Sequence, residues 1–324
     1  MGKIERQGIA VAGSVLVDKI NEIKAYPQSG ELTQIVGLEK AVGGCVPNVA
    51  LDLKKICPEL NVKAIGKVGN DEDGAYVSNV LSQGGVDVSG FVVSEEDSTS
   101  FTEVMSVING QRTFFTYPGT SADFGYNDID FENLDSSILH LGYFLLLEKV
   151  DQGEGIQILQ KAQEMGIKTS IDLVSENSDR YSLILSCLPY TNYLIINEIE
   201  AGKLTNTEPT DDKLEEIARK LKALGVSDKV VIHKPDFAVC LSNDGYTVVN
   251  SYSLPDGYIK GTTGAGDAFC AGTLIGIYKE WSDTEILEFA SGCAVMALGK
   301  ADATSGLLTE EEIKEYCKQF ERKN

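Results

Sequence analysis

The chain has few basic residues, few histidines and no long apolar segment, and each shortage excludes a class of protein. Lys and Arg number 28 against 49 Asp and Glu among 324 residues, which gives a net charge of −21 at pH 7. Nucleic acids and anionic membranes are bound by basic patches, so this charge argues against both as partners. With 2 histidines, and with 7 cysteines that form no C-x-x-C pair, a zinc site is not expected.

Proline is scarce as well, at 8 residues. The chain contains 43% hydrophobic and 24% charged residues, a composition that is typical of a globular protein without low-complexity segments. No apolar run is long enough to span a bilayer, and the first residues lack the hydrophobic core of a signal peptide. We therefore expect a cytoplasmic protein without a membrane partner, whose cysteines are free thiols in a reducing compartment.

Short apolar runs alternate with amphipathic stretches along most of the chain. This rhythm predicts one α/β domain over residues 1–324, with a mainly parallel sheet covered by helices on both faces. The predicted strands are Ile9–Ala12, Val62–Val68, Ile138–Leu141, Lys168–Asp172, Tyr193–Asn197 and Val230–His233. The predicted helices are Pro47–Ile56, Gly74–Gln83, Gly155–Met165, Asp211–Leu224, Ala268–Tyr278, Thr284–Leu298 and Thr309–Phe320.

Two segments interrupt this rhythm with a β-type pattern. Residues 19–40 are polar and alternate, and residues 99–116 predict two strands joined by a type I′ turn at Asn109-Gly110. They are either a small β lid over an active site or excursions at a sheet edge. A further hairpin, Phe237–Leu241 with Tyr246–Asn250, is predicted as an edge pair.

The segment Gly261–Phe269, with the sequence GTTGAGDAF, is the most informative motif. Gly264, Ala265 and Gly266 leave their backbone N–H groups accessible, and the first N–H groups of a helix suit a phosphate or an oxyanion. Asp267 then lies in the first turn, either as a structural cap or as a base acting on a hydroxyl beside a bound phosphate. No G-K-[ST] or G-x-G-x-x-G pattern is present, so neither a Walker A loop nor a dinucleotide fingerprint is predicted.

Polar residues follow other predicted strands, where ligands bind in open α/β sheets. Asp18 comes after the first strand and is either a turn residue or an acceptor for sugar hydroxyls. Gly43 and Gly44 precede a helix that begins near Pro47, and Asn48 can hold polyol hydroxyls there. The alternative for this segment is a simple glycine-rich turn.

Asn197 and Glu200 follow the strand residues Tyr193–Ile196 at a spacing that places them on one helix face. A carboxylate and an amide suit a hydrated Mg²⁺ carried by phosphates. Equally, Asn197 can cap the helix, with acidic residues in its first turn.

Taken in order, these motifs resemble the ribokinase-like (PfkB) family of carbohydrate and nucleoside kinases over about Ile9 to Gly306. GGCVPN resembles the N-terminal signature of the family, NEIE its N-x-x-E motif and GTTGAGDAF its C-terminal signature. The resemblance implies a ribokinase-like α/β fold with a β lid, and ATP-dependent phosphorylation of a sugar hydroxyl with Mg²⁺.

The resemblance also implies roles for individual residues. Asp267 is implied as the catalytic base, and Gly264, Ala265 and Gly266 as the anion hole. The sugar is implied to contact Asp18, Gly43, Gly44 and Asn48. Nucleotide binding is implied for Asn197, Thr263, Gly264 and Gly266, and metal binding for Glu200. Lys234, in the segment that replaces the nucleotide loop of the family, is either a nucleotide-binding residue that contacts a phosphate or a surface lysine. Lid hairpins of this family often pair across subunits, which implies a homodimer through the lid.

The chain departs from the family pattern at several positions. Gly261 stands where many members have an Asp that helps to bind an activating monovalent cation, so potassium activation stays open. Residues 233–238 replace the T-x-G-x-x-G nucleotide loop. Asp172 begins a D-x-N-x-R pattern of some sugar kinases, but Val174 and Glu176 break it.

Arg112, beside the predicted lid turn, is either a substrate-reading residue or a solvated hairpin charge. The leading hypothesis is an ATP-dependent kinase for a sugar or sugar derivative, and the alternative within the family is a nucleoside kinase. Two other classes stay open: a non-catalytic sugar- or nucleotide-binding protein, and a dehydrogenase on a doubly wound sheet.

Overall fold

The computed structural model describes residues 6–107, 111–176, 178–300 and 302–323. In this part of the chain, strands form a nine-stranded sheet and a separate four-stranded sheet. The strands are β1 (Ile9–Gly13), β2 (Leu16–Ile23), β3 (Ile35–Gly43), β4 (Val62–Gly69), β5 (Asp87–Ser94), β6 (Ser100–Val107), β7 (Arg112–Tyr117), β8 (Ile138–Phe144), β9 (Lys168–Leu173), β10 (Tyr193–Asn197), β11 (Lys229–His233), β12 (Phe237–Ser242) and β13 (Gly245–Asn250).

The α-helices are α1 (Cys45–Ile56), α2 (Glu72–Gln83), α3 (Gly119–Ala122), α4 (Gly155–Glu164), α5 (Glu198–Thr205), α6 (Leu214–Ala223), α7 (Ala265–Tyr278), α8 (Asp283–Leu298) and α9 (Glu310–Cys317). Every strand and helix whose bounds are predicted above is present, most with shifted ends and β10 with the predicted ends. The sequence pattern missed β5, whose mixed burial hides a clear period, and it placed the start of α7 three residues too late.

The large sheet has the order β13-β12-β11-β10-β9-β8-β1-β4-β5, and its strands are parallel except for the β12–β13 hairpin at one edge. The fold class and the edge hairpin predicted from the sequence are therefore confirmed. Alternate residues of β1 pack on opposite faces, because side chains of a strand alternate. Val11 joins the core formed with α1, α7 and α8, whereas Ala12 joins the core formed with α4 and α6.

On one side of β1 the sheet continues with β4 and β5. On its other side it continues with β8, β9, β10 and β11, which come later in the chain. The carboxyl ends of β1 and β8 therefore lie at a switch in strand order, where open α/β sheets bind ligands. Gly13 and Gly142 pair at this point, and a Cβ on Gly13 would lie 2.6 Å from the carbonyl oxygen of Gly142.

The two β segments that interrupt the sequence pattern form the small sheet, of order β3-β2-β6-β7. They are thus a sheet of their own and not excursions at the edge of the large one. The predicted Asn109-Gly110 turn lies outside the described residues. Lys19 of β2 and Lys40 of β3 both contact Asp73 of α2, at 2.7 and 2.6 Å, which ties this sheet to the main body.

All seven cysteines are free and buried, as predicted for reduced thiols. Among the described residues, none of the helices has the length and hydrophobicity that crossing a bilayer requires.

Candidate active site

The glycine-rich motif forms the amino end of α7. Gly264 caps the helix with φ +77°, a left-handed conformation that favours glycine. A Cβ on Gly264 would lie 2.5 Å from the Cα of Ala303, so the position also requires glycine for space. The N–H of Ala265 donates to the carbonyl oxygen of Thr262 at 3.3 Å, and the N–H of Ala268 donates to the carbonyl oxygen of Gly264 at 2.8 Å, which closes the first turn.

Asp267 lies in the first turn of α7 and is 5% exposed. Its carboxylate does not cap the helix but points to two other elements. Asn48 of α1 donates from Nδ2 to Oδ2 at 2.9 Å. The hydroxyl of Tyr143, in β8, donates to both carboxylate oxygens at 2.9 Å. The cap alternative for Asp267 is therefore not what the structure shows.

Burial raises the pKa of Asp267 from an ordinary 3.8 to about 6, and repulsion from Asp172 acts in the same direction. The hydrogen bonds from Asn48 and Tyr143 oppose this shift, because they favour the charged form. A carboxylate with a pKa near 6 is ionised at neutral pH and more basic than an exposed one, which suits proton abstraction.

A cavity of about 180 Å³ opens beside Asp267 at the carboxyl ends of β8, β9 and β10. Its walls include five residues predicted from the motifs: Asn197, Glu200, Gly264, Gly266 and Asp267. A larger cavity of about 440 Å³ lies by α8 and α9, and none of the predicted site residues lines it. The first cavity is therefore the candidate active site.

Asn197 and Glu200 form a reciprocal helix cap at the start of α5. The side chain of Asn197 accepts from the N–H of Glu200 at 2.9 Å, and Glu200 accepts from the N–H of Asn197 at 3.0 Å. Burial raises the pKa of Glu200 to about 7, against hydrogen bonds from Asn197 and Ser175. The capping alternative is thus correct in geometry, and yet both residues also line the cavity, so capping and ligand binding are compatible here.

The predicted sugar-binding residues do not line this cavity, and Asn48 connects them to Asp267. Asp18 is part of β2, so it is neither a turn residue nor positioned at the end of the first strand as predicted. A Cβ on Gly43 would lie 2.6 Å from Oδ2 of Asp18, and burial raises the pKa of this carboxyl to about 6. Gly44 has φ +88° and approaches the carbonyl oxygen of Ser14.

Four other predicted residues also do not line the cavity: Ala265, Arg112, Lys234 and Thr263. Arg112 is exposed at the start of β7. The ammonium group of Lys234 contacts Asp211, and the Lys234 side chain is 14% exposed. Thr263 is exposed next to Gly264. Their predicted roles in binding stay predictions, as does the homodimer through the lid.

Sequence reasoning missed Tyr143 and gave no role to His233. Tyr143 has φ +58°, a strained conformation for a residue with a side chain, and this places its hydroxyl over Asp267. His233 lines the cavity and stacks on Phe269 at 4.7 Å, and burial lowers its pKa to about 4. A glycine followed by tyrosine at a strand end carries no recognisable signal, so only the structure identifies Tyr143.

Comparisons with known proteins identify the family and the fold of this chain. The family model of pfkB carbohydrate kinases matches residues 7–310. A fructokinase of Zea mays is 25% identical over 95% of this chain and 97% of its own length. A ribokinase of Arabidopsis thaliana, solved with ribose and ATP, superposes with a TM-score of 0.83 at 20% identity, covering 96% of this chain and 98% of that one. The structure of a nucleoside kinase of Methanocaldococcus jannaschii superposes with a TM-score of 0.78 at 20% identity, covering 98% of this chain and 100% of that one. At such identities the two solved structures support the fold alone.

Proposed function

Because the chain belongs to the pfkB family of carbohydrate kinases, we propose that it transfers the terminal phosphoryl group of ATP to a hydroxyl of a sugar or sugar derivative. One observation carries this proposal: a buried carboxylate, Asp267, lies in the first turn of the helix that begins at the Gly264–Gly266 motif. A base for the acceptor hydroxyl and N–H donors for the transferred group are thereby adjacent, and phosphoryl transfer needs both.

In the proposed reaction, Asp267 takes the proton from the sugar hydroxyl as the oxygen attacks the terminal phosphorus. The bond between that phosphorus and its bridging oxygen breaks, and ADP leaves. Asn48 and Tyr143 hold the carboxylate in place through their hydrogen bonds. A carboxylate has about four acceptor positions, so these donors leave room for the substrate hydroxyl.

The proposed anion hole consists of the N–H groups of Gly264, Ala265 and Gly266 at the positive end of the α7 dipole. They would compensate negative charge on the transferred phosphoryl group. Local donors are needed because the net charge of −21 repels an anionic nucleotide at long range.

The residues at the start of α5 fit a magnesium ion that reaches the site with the nucleotide. Glu200 offers carboxylate oxygens and Asn197 an amide at the wall of the cavity, the hard donors that a largely hydrated Mg²⁺ uses. When bound, the ion would neutralise phosphate charge. The reciprocal hydrogen bonds of the helix cap fix the positions of the Asn197 and Glu200 side chains.

For the sugar, we propose contacts with Asp18, Gly43, Gly44 and Asn48. Asp18 is half-buried in the small sheet and adjacent to Gly43, while Asn48 connects this region to Asp267. The small sheet would act as the lid that excludes water, a competing phosphoryl acceptor. Arg112 is the lid residue proposed to approach the substrate.

Asp267→Asn tests the proposal. The change keeps the shape of the side chain but removes the base, so kcat should fall about 10²–10⁴-fold while sugar binding persists. ADP production would be followed with ATP, Mg²⁺ and a panel of sugars and nucleosides, and sugar binding by calorimetry. Asp256→Asn, an exposed acid in the loop before α7, is the matched control.

Near-normal turnover of Asp267→Asn would refute the role of the base. Turnover of nucleosides without any sugar would favour the nucleoside kinase alternative. Binding of sugar with no turnover by the wild-type protein would instead favour a non-catalytic binding protein.

A further inference from the structure

The segment that follows α8 packs directly against the start of α7. A Cβ on Gly264 would lie 2.3 Å from the carbonyl oxygen of Ala303 and 2.5 Å from its Cα, so the two backbones are in contact. Gly264 caps the helix whose first N–H groups form the proposed anion hole. The position of Ala303 therefore affects the position of these donors. We refer to residues 302–304 as the backing segment.

Local hydrogen bonds give the backing segment its shape. Oδ1 of Asp302 accepts from the N–H groups of Thr304 at 3.1 Å and Ser305 at 2.7 Å, as acidic side chains do in turns. The carbonyl oxygen of Thr304 accepts from the N–H of Leu307, a buried residue, at 3.3 Å. These bonds lie within residues 302–307, so they do not fix the segment against α1 or α7.

Lys55 of α1 connects the backing segment to the rest of the molecule. Its ammonium group donates to the carbonyl oxygen of Thr304 at 2.7 Å, across 249 positions of the chain. Within the described residues, no other hydrogen bond joins residues 302–304 to a helix or strand. The charge of Lys55 acts on the same turn: although burial opposes the shift, hydrogen bonds from Ser305 and Thr304 and the attraction of Lys55 lower the pKa of Asp302.

The helix α1 reaches the start of α7 at two points. Asn48 and Lys55 are two helical turns apart, so they lie on one face of α1. Asn48 donates to the carboxylate of Asp267, and Lys55 holds the segment behind Gly264. A single helix therefore sets the base and the N–H donors relative to each other, the base directly and the donors through the backing segment.

The placement of the N–H donors matters for phosphoryl transfer, because donors that stabilise a developing charge must be in place before the reaction. A displacement of about 1 Å costs up to about a hundredfold in rate. Connecting segments are more mobile than the helices they join, so the backing segment needs an attachment. The hydrogen bond from an ammonium group to a carbonyl oxygen is charge-assisted and roughly twice as strong as a neutral one, which suits this purpose.

We propose that Lys55 is a positioning residue of the anion hole. Its ammonium group holds the backing segment against Gly264 and thereby fixes the first N–H groups of α7. This role rests on the proposed function, in which these N–H groups stabilise the transferred phosphoryl group. Lys55 itself contacts neither substrate, so its loss should affect turnover more than binding of the sugar.

Steady-state kinetics of Lys55→Met test this role, because methionine is similar in length to lysine and lacks the charge. We expect kcat to fall about 10–100-fold, with the KM for the sugar changed less than about twofold. Lys55→Arg keeps the charge and a donor for Thr304, and it should retain most of the activity. Lys54→Met is the matched control, since the ammonium group of Lys54 donates to the carbonyl oxygen of Leu60, before the amino end of β4. This control should behave as the wild type.

Small cations distinguish positioning by a charge from a general loss of packing. Lys55→Ala leaves a space beside Thr304 in which an ammonium ion replaces the lost group. Added NH₄⁺ should restore most of the turnover of this variant, whereas tetramethylammonium at the same ionic strength is too large and should not. The wild type should not respond to NH₄⁺, since Lys55 already occupies the position. Activation of both proteins to the same extent would overturn the role of Lys55.

Hydrogen exchange reports on the start of α7 without any need for catalysis. In Lys55→Met, the amides of residues 264–268 should exchange about fivefold or more faster than in the wild type, because one hydrogen bond no longer holds the turn behind them, and Lys54→Met should leave them unchanged. Equal exchange and equal kcat in the two methionine variants, with a wild type that phosphorylates a sugar, would refute the role of Lys55 and leave the proposed function intact. A wild type that phosphorylates neither sugars nor nucleosides would refute both.

Discussion

Replacing Asp267 by Asn should stabilise the fold at alkaline pH, at the expense of activity. Burial raises the pKa of this carboxyl from 3.8 to about 6, so the folded protein favours the protonated form. Between these values the folded state binds more protons than the unfolded state. The stability associated with this group is therefore fully present below pH 3.8 and is lost as the pH rises through 6.

The size of the effect follows from the shift. About 2.2 pKa units correspond to about 3 kcal/mol once both states are ionised, and about 1.4 kcal/mol of this is lost between pH 5 and pH 8. Asparagine does not titrate, but it cannot accept all the hydrogen bonds from Asn48 and Tyr143, which costs about 1 kcal/mol. We expect Asp267→Asn to be about 2 kcal/mol more stable than the wild type at pH 8, and less so at pH 5.

Urea unfolding of both proteins at pH 5 and pH 8 measures this difference. Asp73→Asn is the control. Although burial opposes the shift, hydrogen bonds from Lys19 and Lys40 lower the pKa of Asp73, so this group stays ionised in both states over the whole range. Its substitution should give the same change in stability at both pH values. If the difference between Asp267→Asn and the wild type did not grow from pH 5 to pH 8, Asp267 would not have a raised pKa.

Three further predictions concern the same site. Tyr143→Phe removes a hydrogen bond that lowers the pKa of Asp267, so the acidic limb of kcat/KM should move up by about 0.5–1 pH unit; an unchanged pH profile would contradict this. Gly264→Ala should destabilise the protein by about 1–3 kcal/mol more than Gly166→Ala, as measured by urea unfolding. The φ angles of the two glycines are similar, +77° at Gly264 and +75° at Gly166, but a Cβ on Gly166 would meet no atom within 4 Å. Burial raises the pKa of Glu200 to about 7, so this carboxyl becomes protonated between pH 7.5 and pH 6. The KM for Mg²⁺ should therefore rise about eightfold over this range, and Glu200→Gln should abolish the pH dependence.

Local patterns were enough to predict the fold and the main motifs. The alternation of apolar runs with amphipathic stretches depends on backbone periodicity, so it identified the parallel sheet, the flanking helices and the edge hairpin. Motif order located Asp267, Glu200 and Asn197 at one cavity. The sequence pattern did not place Asp18 correctly, because a short gap after β1 gave no sign that the chain enters a second sheet.

The partners of the site residues depend on contacts between distant parts of the chain. Tyr143 reaches Asp267 across 124 positions, and Asn48 across 219. Neither pairing has a spacing that a sequence can reveal. The raised pKa of Asp267 has the same origin, since it follows from the burial of this carboxyl and from the proximity of Asp172 in β9.

By itself, the sequence determined the α/β architecture, the acidic character of the protein and the glycine-rich start of α7, because each depends on composition or on neighbouring residues. Only the tertiary structure decided that Asp267 is held by Asn48 and Tyr143, and not used as a cap. It also decided which residues surround His140, one of only 2 histidines in the chain. Folding brings its Nε2 to 3.5 Å from Oδ2 of Asp172 and 3.6 Å from Sγ of Cys270, and contacts between such distant residues have no spacing that the sequence could reveal.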